Sequence, residues 1–294
     1  MTPGEFDFLK TFLKTRSGLV LSNDKQYLVE SRLQPIARSS KLETLSAVIQ
    51  TLQRGGNRAL ETEVIEAMTT NESFFFRDKT PFDHFKETML PALLEARSTR
   101  RQIKVWCAAA STGQEPYSLG ICLKEEAAKM PGWRTRVLGT DLSQEVLEKA
   151  KTGLYSQFEV QRGLPIQMLL KYFDQKGDMW QINAAMRAMI EWKQLNLLEN
   201  FTHLGEFDIV FCRNVLIYFD QTTKSEILGR LSKTLPDDGY LVLGAAETVV
   251  GLTDAFKPVP GKRGLFQKKQ AFQAATGTPA GPRLAVGGGA GFRR

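Results

Sequence analysis

A strand-like segment that leads through small residues into a helical pattern constrains the fold of this chain most. Ile103 and Val105 flank Lys104 within residues 103–107 and predict a buried β-strand. The small residues 108–113 follow, and they allow the backbone to approach a ligand without obstruction by side chains. This arrangement is typical of the ligand-binding corner of an open α/β sheet, so we predict a doubly wound α/β fold.

The composition of this corner indicates which ligands it can hold. It lacks the Gly-x-Gly-x-x-Gly pattern that brings a backbone close to a pyrophosphate. Glu115 instead lies in the first turn of the predicted helix, where its carboxylate would repel a phosphate. A cationic or hydroxyl-bearing ligand fits better, although a structural turn capped by Glu115 explains the same residues.

Length and composition bound the class of protein. The 294 residues, of which 42% are hydrophobic, are enough for two modest globular domains. No apolar run is as long as a membrane span and residues 1–7 lack signal-peptide character, so no membrane insertion is expected. The three cysteines, an odd number in apolar segments, favour reduced thiols and a cytoplasmic location.

Charge and histidine content argue against two kinds of site. The net charge of +7 includes five basic residues and no acid within 267–294, which leaves only +2 for the rest of the chain. That surplus is too small for a general nucleic-acid surface. Two histidines and no Cys-x-x-Cys motif make a metal site unexpected. The chain also has no heptad repeat, and we expect a monomer.

Periodicity and composition divide the chain into four segments. They are an all-helical domain at 1–69, a linker contributing to the active site at 70–79, an α/β domain at 80–268, and a disordered Gly-, Ala- and Pro-rich tail at 269–294. Within the α/β domain, residues 80–96 predict one helix with Pro91 as a flaw.

The linker carries three consecutive phenylalanines at 74–76. Because exposed phenylalanines would be unusual there, we predict that they pack into the seam between the domains. That packing would hold Asn71, Ser73 and Arg77 at the mouth of a cleft. A purely structural seam is the alternative.

A predicted helix near residues 23–38 has a basic exposed side formed by Lys25, Arg32, Arg38 and the nearby Lys41. A solvated basic face is one interpretation, and docking to an acidic partner is the other.

Polar residues follow two further predicted strands. Asp141 ends the second strand, where an acid can accept hydrogen bonds from ribose hydroxyls. Capping of the next helix by Asp141 or Ser143 is the alternative. Arg213 and Asn214 follow the buried strand 207–212, at the sheet edge where open α/β folds place their chemistry.

Five motifs in order make residues 1–268 resemble the chemotaxis receptor methyltransferases, the CheR family. They are Asn-Glu-Ser-Phe-Phe-Phe-Arg at 71–77, Ala-Ala-Ala-Ser-Thr-Gly-Gln-Glu-Pro-Tyr-Ser at 108–118, Gly-Thr-Asp at 139–141, Asn-Leu-Leu-Glu at 196–199, and Phe-Cys-Arg-Asn-Val-Leu-Ile-Tyr-Phe-Asp at 211–220. The resemblance implies a Rossmann-like S-adenosylmethionine-dependent methyltransferase fold with an N-terminal all-helical domain and a small antiparallel β-subdomain, matched here to 177–193.

The resemblance also implies the reaction and its site. The family transfers a methyl group from S-adenosylmethionine to glutamates on cytoplasmic helices of methyl-accepting chemotaxis receptors, which yields glutamate methyl esters and S-adenosylhomocysteine. Its pattern places the cofactor against a set of polar and apolar positions. They are Asn71, Ser73, Arg77, Glu115, Asp141, Asn196, Leu197, Arg213 and Asn214. As a hypothesis, Arg77 and Tyr218 hold the acceptor carboxylate in line.

Some family members capture a receptor C-terminal peptide with a Gly-containing insertion in the β-subdomain. The loop at 174–178 is short and lacks that insertion, so we expect no dependence on a tethering peptide. The basic helix then gains weight as the receptor-docking face.

Two other functions fit parts of the sequence. A non-catalytic scaffold or sensor would keep the S-adenosylmethionine pocket without an acceptor. A nitrogen methyltransferase is less well supported, because such enzymes commonly carry an Asn/Asp-Pro-Pro-Tyr motif where this chain has Arg-Asn-Val-Leu at 213–216.

Overall fold

The protein is described by a computed structural model over residues 1–269. From residue 270 onward, the tail predicted to be disordered lies outside the described residues. In the described part, no helix combines the length and the apolar character needed to cross a membrane.

The N-terminal domain is a helical bundle. Its helices are α1 (Pro3–Ser17), α2 (Gln26–Ser39), α3 (Leu45–Arg54) and α4 (Arg58–Met68), with a short 3₁₀ turn at Asn23–Lys25. The Thr2 side chain and Glu5 form a capping box at the start of α1, and Gly18 ends that helix with φ 78°. Leu9 and Leu13 lie in the bundle core and are fully buried.

The C-terminal domain alternates helices with strands. Its helices are α5 (Thr80–His84), α6 (Leu90–Ala96), α7 (Gln114–Glu125), α8 (Gln144–Thr152), α9 (Gln157–Gln161), α10 (Ile166–Tyr172), α11 (Ala184–Arg187) and α12 (Gln221–Ser232). Its strands are β1 (Gln102–Ala108), β2 (Arg134–Asp141), β3 (Leu154–Ser156), β4 (Phe173–Lys176), β5 (Met179–Ile182), β6 (Ile190–Gln194), β7 (Ile209–Cys212), β8 (Tyr240–Leu243), β9 (Phe256–Pro258) and β10 (Leu265–Lys268).

Seven strands form one sheet in the order β6-β2-β1-β7-β8-β10-β9. The first five are parallel to their neighbours, and β10 runs antiparallel to both β8 and β9. Along β1, Val105 and Cys107 point into one core cluster while Trp106 and Ala108 point into the other. Both faces are therefore buried, as expected for a parallel sheet between helices. The predicted doubly wound α/β fold is confirmed.

The helix predicted at 80–96 is interrupted. A π-helical turn at Phe85–Met89 separates α5 from α6. Pro91 is near the start of α6 and has no N–H to donate to a carbonyl one turn earlier. The wider turn immediately precedes α6, so the interruption lies next to this proline.

A second, three-stranded antiparallel sheet has the order β3-β5-β4. Its predicted bounds of 177–193 were wrong, because β3 and β4 precede that range. Residues beyond Ile182 belong to α11 and to β6, which pairs in parallel with β2. The N-terminal bound was wrong because Leu154 pairs with Gln181, and no local sequence pattern predicts such a long-range contact.

The phenylalanine linker packs on the C-terminal domain itself, and the predicted location in the interdomain seam was wrong. Phe75 is fully buried, with its ring 5.0 Å from that of Tyr155 and 5.4 Å from that of Phe173. Phe76 lies 5.2 Å from Phe82. Residues 74–76 therefore fix the linker to the domain that carries the large sheet.

The helical domain contacts the C-terminal domain through the end of α1. The Val20 N–H donates to the Tyr218 carbonyl at 2.9 Å, and the Asn196 side chain donates to the Arg16 carbonyl at 2.7 Å. A Cβ on Gly18 would lie 2.7 Å from the Phe219 ring, so the approach at this point requires glycine.

The predicted basic side of α2 is smaller than expected. Arg32 donates to the carbonyls of Met68 and Thr69 at 3.0 and 2.8 Å, and so caps the C-terminal end of α4. Arg38 and Lys41 remain exposed.

Replacement of Gly163 by alanine should destabilise the protein more than the same replacement at Gly177. Both glycines have positive φ, +85° and +60°. A Cβ at Gly163 would lie 2.1 Å from the Phe75 carbonyl oxygen, whereas one at Gly177 meets no atom within 4 Å. We expect a loss of about 1 kcal/mol for Gly177→Ala and about 3 kcal/mol or more for Gly163→Ala, measured by urea unfolding. Equal losses would show that linker packing at Gly163 contributes little.

Candidate active site

A cleft opens at the carboxyl ends of β1, β2 and β7, where open α/β sheets bind ligands. Its empty space is about 980 Å³ when the open mouth is included, which is large enough for a nucleotide-sized molecule. Every site residue predicted from the sequence lines it. They are Asn71, Ser73, Arg77, Glu115, Asp141, Asn196, Leu197, Arg213, Asn214 and Tyr218.

The carboxylate of Asp141 holds the turn between β1 and α7. It accepts the Ser111 N–H at 2.8 Å and the Ser143 N–H at 3.0 Å, while Ser143 itself caps α8. Burial raises the pKa of Asp141, and these amide hydrogen bonds oppose the shift. Because each carboxylate oxygen has a further lone pair, Asp141 retains capacity for hydroxyl donors in the cleft.

Backbone conformations in this turn are unusual for residues with side chains. Ala109 and Ser111 have φ of 62° and 51°. Ser111 also donates its hydroxyl to the Asn71 carbonyl at 2.7 Å, which joins the turn to the linker. Conformations of this kind persist only where surrounding contacts fix them, as they do here.

Arg213 is almost fully buried and connects three remote segments. Its Nη1 donates to Glu115 Oε2 at 2.6 Å, and its Nη2 donates to Asp78 Oδ2 at 2.7 Å and to the Arg77 carbonyl at 3.0 Å. Most of its donors are therefore engaged within the chain. The geometry makes Arg213 a latch between β7, α7 and the linker.

Glu115 faces the cleft with part of its carboxylate free. One oxygen receives the Arg213 hydrogen bond, whereas Oε1 has no hydrogen-bond donor among residues 1–269. Burial raises the pKa of Glu115, and the adjoining guanidinium opposes that shift. A cationic group that enters the cleft would meet an acceptor at Oε1.

Asn196 and Leu197 form the wall of the cleft just after the end of β6. The Asn196 side chain donates through Nδ2 to the Arg16 carbonyl of the helical domain, and its Oδ1 accepts the Leu198 N–H at 3.0 Å. Both ends of this amide are therefore already engaged, and one of them links the two domains. Leu197 belongs to a core cluster and is nearly buried. This wall therefore offers an apolar surface with one partly engaged amide.

Three side chains that line the cleft are less constrained. Arg77 donates to the Glu72 carbonyl at 2.8 Å, and its guanidinium lies 5.5 Å from the centre of the Phe74 ring. The hydroxyls of Tyr218 and Ser73 have no hydrogen-bond partner in the part of the chain that the structure describes. These groups remain available to a ligand.

The sequence analysis missed contributions from the helical domain and from the segment after β8. Ser17 and Leu19 line the cleft on either side of Gly18. Glu247 lies behind the cleft and accepts several backbone N–H groups, including that of Asn214. An acidic residue just beyond the end of a parallel strand was the available signal for Glu247.

Both domains match models of one family. Residues 4–69 match the CheR methyltransferase all-alpha domain, and residues 71–265 match the CheR methyltransferase SAM binding domain. The chain belongs to the CheR methyltransferase family. Its cofactor is S-adenosylmethionine, and the oxygen acceptors and apolar wall of the cleft fit a molecule with hydroxyls, a cationic portion and a flat base.

Named relatives agree with this assignment. This CheR-family chain is 40% identical to chemotaxis protein methyltransferase 1 of Pseudomonas aeruginosa over 90% of its own length and 97% of that protein. It is 39% identical to the chemotaxis protein methyltransferase of Vibrio anguillarum over 90% of this chain and 96% of that protein. For the Salmonella typhimurium enzyme, the identity is 37% over 82% of each chain.

Replacement of Arg213 by glutamine should be strongly destabilising. The change leaves Glu115 buried beside a neutral group and releases Asp78, and breaking a buried ion pair costs about 3–5 kcal/mol. Arg136→Gln is the matched control, because both partners of the Arg136–Glu191 pair at 2.7 Å are accessible to solvent, with 34% and 55% of their side chains exposed. We expect at most about 1 kcal/mol there by urea unfolding. Similar losses in both variants would contradict a latch role for Arg213.

Proposed function

We propose that this CheR-family protein transfers the methyl group of S-adenosylmethionine to glutamate side chains of methyl-accepting chemotaxis receptors. The observation that carries the proposal is the position of Arg77 and Tyr218 on the same cleft as Glu115 and Asp141. A carboxylate-orienting pair thus adjoins an acceptor set that suits the cofactor. The names of the relatives support receptors as the substrates.

In this proposal, different residues of the cleft contact different parts of the cofactor. Asp141 accepts hydrogen bonds from the ribose hydroxyls, and Glu115 Oε1 accepts from the amino group. Asn196 and Leu197 contact the edge and the face of the adenine. Their available lone pairs and apolar surface support these roles.

The other predicted cofactor contacts differ in how far the rest of the chain already engages their side chains. We propose that Asn71, Ser73 and Asn214 bind directly, because each lines the cleft. Arg213 acts through Glu115, since its own donors are largely engaged.

The proposed mechanism requires orientation rather than proton transfer. Bound S-adenosylmethionine supplies a methyl group made electrophilic by its sulfonium. The acceptor glutamate, with an ordinary pKa of about 4.3, is already ionised at neutral pH. Neither histidine lines the cleft. Arg77 and Tyr218 align the carboxylate oxygen, and such alignment can lower a barrier by up to about 7–11 kcal/mol.

The Arg77 guanidinium must not bind the acceptor carboxylate too tightly before the reaction. A guanidinium that bound the ground-state carboxylate as tightly as the transition state would not accelerate transfer. Arg77 is half-buried, donates to the Glu72 carbonyl and lies near the Phe74 ring. These contacts support a role in orientation.

We further propose that the protein acts as a monomer in the cytoplasm on receptor helices. The exposed Arg38 and Lys41 at the end of α2, with the half-buried Lys25, form the basic face that meets acidic helices. Arg32 is excluded from this face by its contacts with α4.

Methylation should not depend on a receptor tethering peptide. Only Gly177 and Asp178 connect β4 to β5, so the small sheet has no insertion with which to enclose a peptide. Calorimetric titration with a receptor C-terminal peptide should give no saturable heat, and a receptor that lacks these residues should be methylated at the same rate. Strong peptide binding would contradict the proposal.

Arg77→Ala should abolish methyl transfer and leave the fold intact, because the side chain lines the mouth of the cleft. The assay uses methyl-labelled S-adenosylmethionine with receptor-containing membranes, followed by mild alkali. The wild-type protein should produce label that alkali releases as methanol, as a carboxyl methyl ester requires. The matched control is Arg162→Ala, since Arg162 lies 4.3 Å from the Phe74 ring but does not line the cleft.

The remaining outcomes separate the alternatives. Retained turnover by Arg77→Ala would remove Arg77 from the mechanism. Alkali-stable label would identify nitrogen as the acceptor. Cofactor binding without any transferred label would favour the scaffold or sensor function.

A further inference from the structure

Glu247 gathers four backbone N–H groups at the carboxyl ends of two neighbouring strands. Its Oε2 accepts from Gly244 at 2.7 Å and Asn214 at 2.8 Å. Its Oε1 accepts from Val215 at 3.0 Å and Ile217 at 3.3 Å. Amide donors that converge in this way form a concave anion site, and here the chain fills that site with its own carboxylate.

The amides of residues 214, 215 and 217 have no backbone acceptor in the described part of the chain, and Glu247 supplies one. Asn214 follows β7 with φ 58°, and Val215 has φ −124° and ψ −37°. The 3₁₀ turn Leu216–Tyr218 comes next. Asparagine adopts the left-handed region more readily than most residues, and at Asn214 this conformation presents the backbone N–H to Glu247.

Gly244 allows Glu247 to reach this segment. A Cβ at residue 244 would lie 2.8 Å from Glu247 Oε2 and 2.8 Å from Asn214 Nδ2. The close approach of β8 and the segment after β7 therefore leaves room only for a hydrogen atom at this position.

Glu247 does not line the cleft, but Asn214 and Tyr218 at the two ends of the held segment do. Its hydrogen bonds also occupy the amides of residues 214, 215 and 217, so these donors cannot bind an acceptor carboxylate. Orientation of that carboxylate consequently depends on side chains of the cleft, which in the proposed function are those of Arg77 and Tyr218.

We infer that Glu247 is a positioning residue for methyl transfer: its carboxylate fixes the segment 214–218 and thereby the phenol of Tyr218. The inference rests on the proposed function for the identity of the acceptor. The hold of Glu247 on the segment is independent of that identity and can be measured separately.

The test uses Glu247→Gln, which replaces an acceptor oxygen by an amide that faces N–H donors. Glu206→Gln is the matched control, because Glu206 is exposed and has no hydrogen bond among the described side chains. Hydrogen exchange followed by mass spectrometry should show lost protection in 214–217 for Glu247→Gln only. The kcat of Glu247→Gln should fall about 10–100-fold, because Tyr218 would no longer hold the acceptor carboxylate in the reactive position.

A double-mutant cycle distinguishes positioning from general destabilisation. In a Tyr218→Phe background, Glu247→Gln should lower kcat by less than about 3-fold, because both changes act on one group. An equal factor in both backgrounds, or a loss that follows the unfolded fraction, would overturn the inference. If Glu247→Gln does not fold, Glu247→Asp is measured in the same cycle.

Failure of the proposed function has a different signature. Alkali-stable label from the wild-type protein would change the acceptor while the exchange result and the cycle still support the role of Glu247. Unchanged exchange in 214–217 would refute that role even where methyl esters form.

Discussion

The buried guanidinium of Arg213 is the contact on which the cleft depends. Burial of a cation is unfavourable unless it is paired, and Glu115, Asp78 and the Arg77 carbonyl accept from its two Nη atoms, whereas its buried Nε has no partner among the described residues. The same contacts bring together segments that are 98 and 135 residues apart. They also explain how the linker tolerates positive φ at Phe76 and Asp78.

Two carboxylates extend this principle to the backbone. Asp141 accepts amides from the turn after β1, and Glu247 accepts amides from the segment after β7. In both cases an acid at the carboxyl end of one strand determines the conformation that follows its neighbour. The cleft is therefore shaped by hydrogen bonds between side chains and irregular backbone, and the sheet supplies the fixed ends.

Sequence patterns predicted the fold and the edge of the sheet where the cleft lies, because strand periodicity and helix caps are local signals. The buried strand predicted at 103–107, which is β1, and the turn of small residues that leads from it into α7 are examples. The contacts between remote segments could not be predicted in this way, because they leave no local signal. The pairing of β3 with β5, the burial of Phe75 and the engagement of Arg32 with α4 each join residues far apart in sequence. The predicted site residues line the cleft, but their individual roles toward ligand remain predictions.

The Val20–Tyr218 hydrogen bond has a consequence for the catalytic cycle. It fastens the helical domain to the backbone of the residue proposed to hold the acceptor. Any rotation of that domain that widens the cleft, for instance to let S-adenosylhomocysteine leave, would displace Tyr218 or break this bond. Where Tyr218 moves with the helical domain, release of S-adenosylhomocysteine would coincide with displacement of the residue proposed to hold the acceptor, so the opened cleft would not hold a new acceptor in a reactive position.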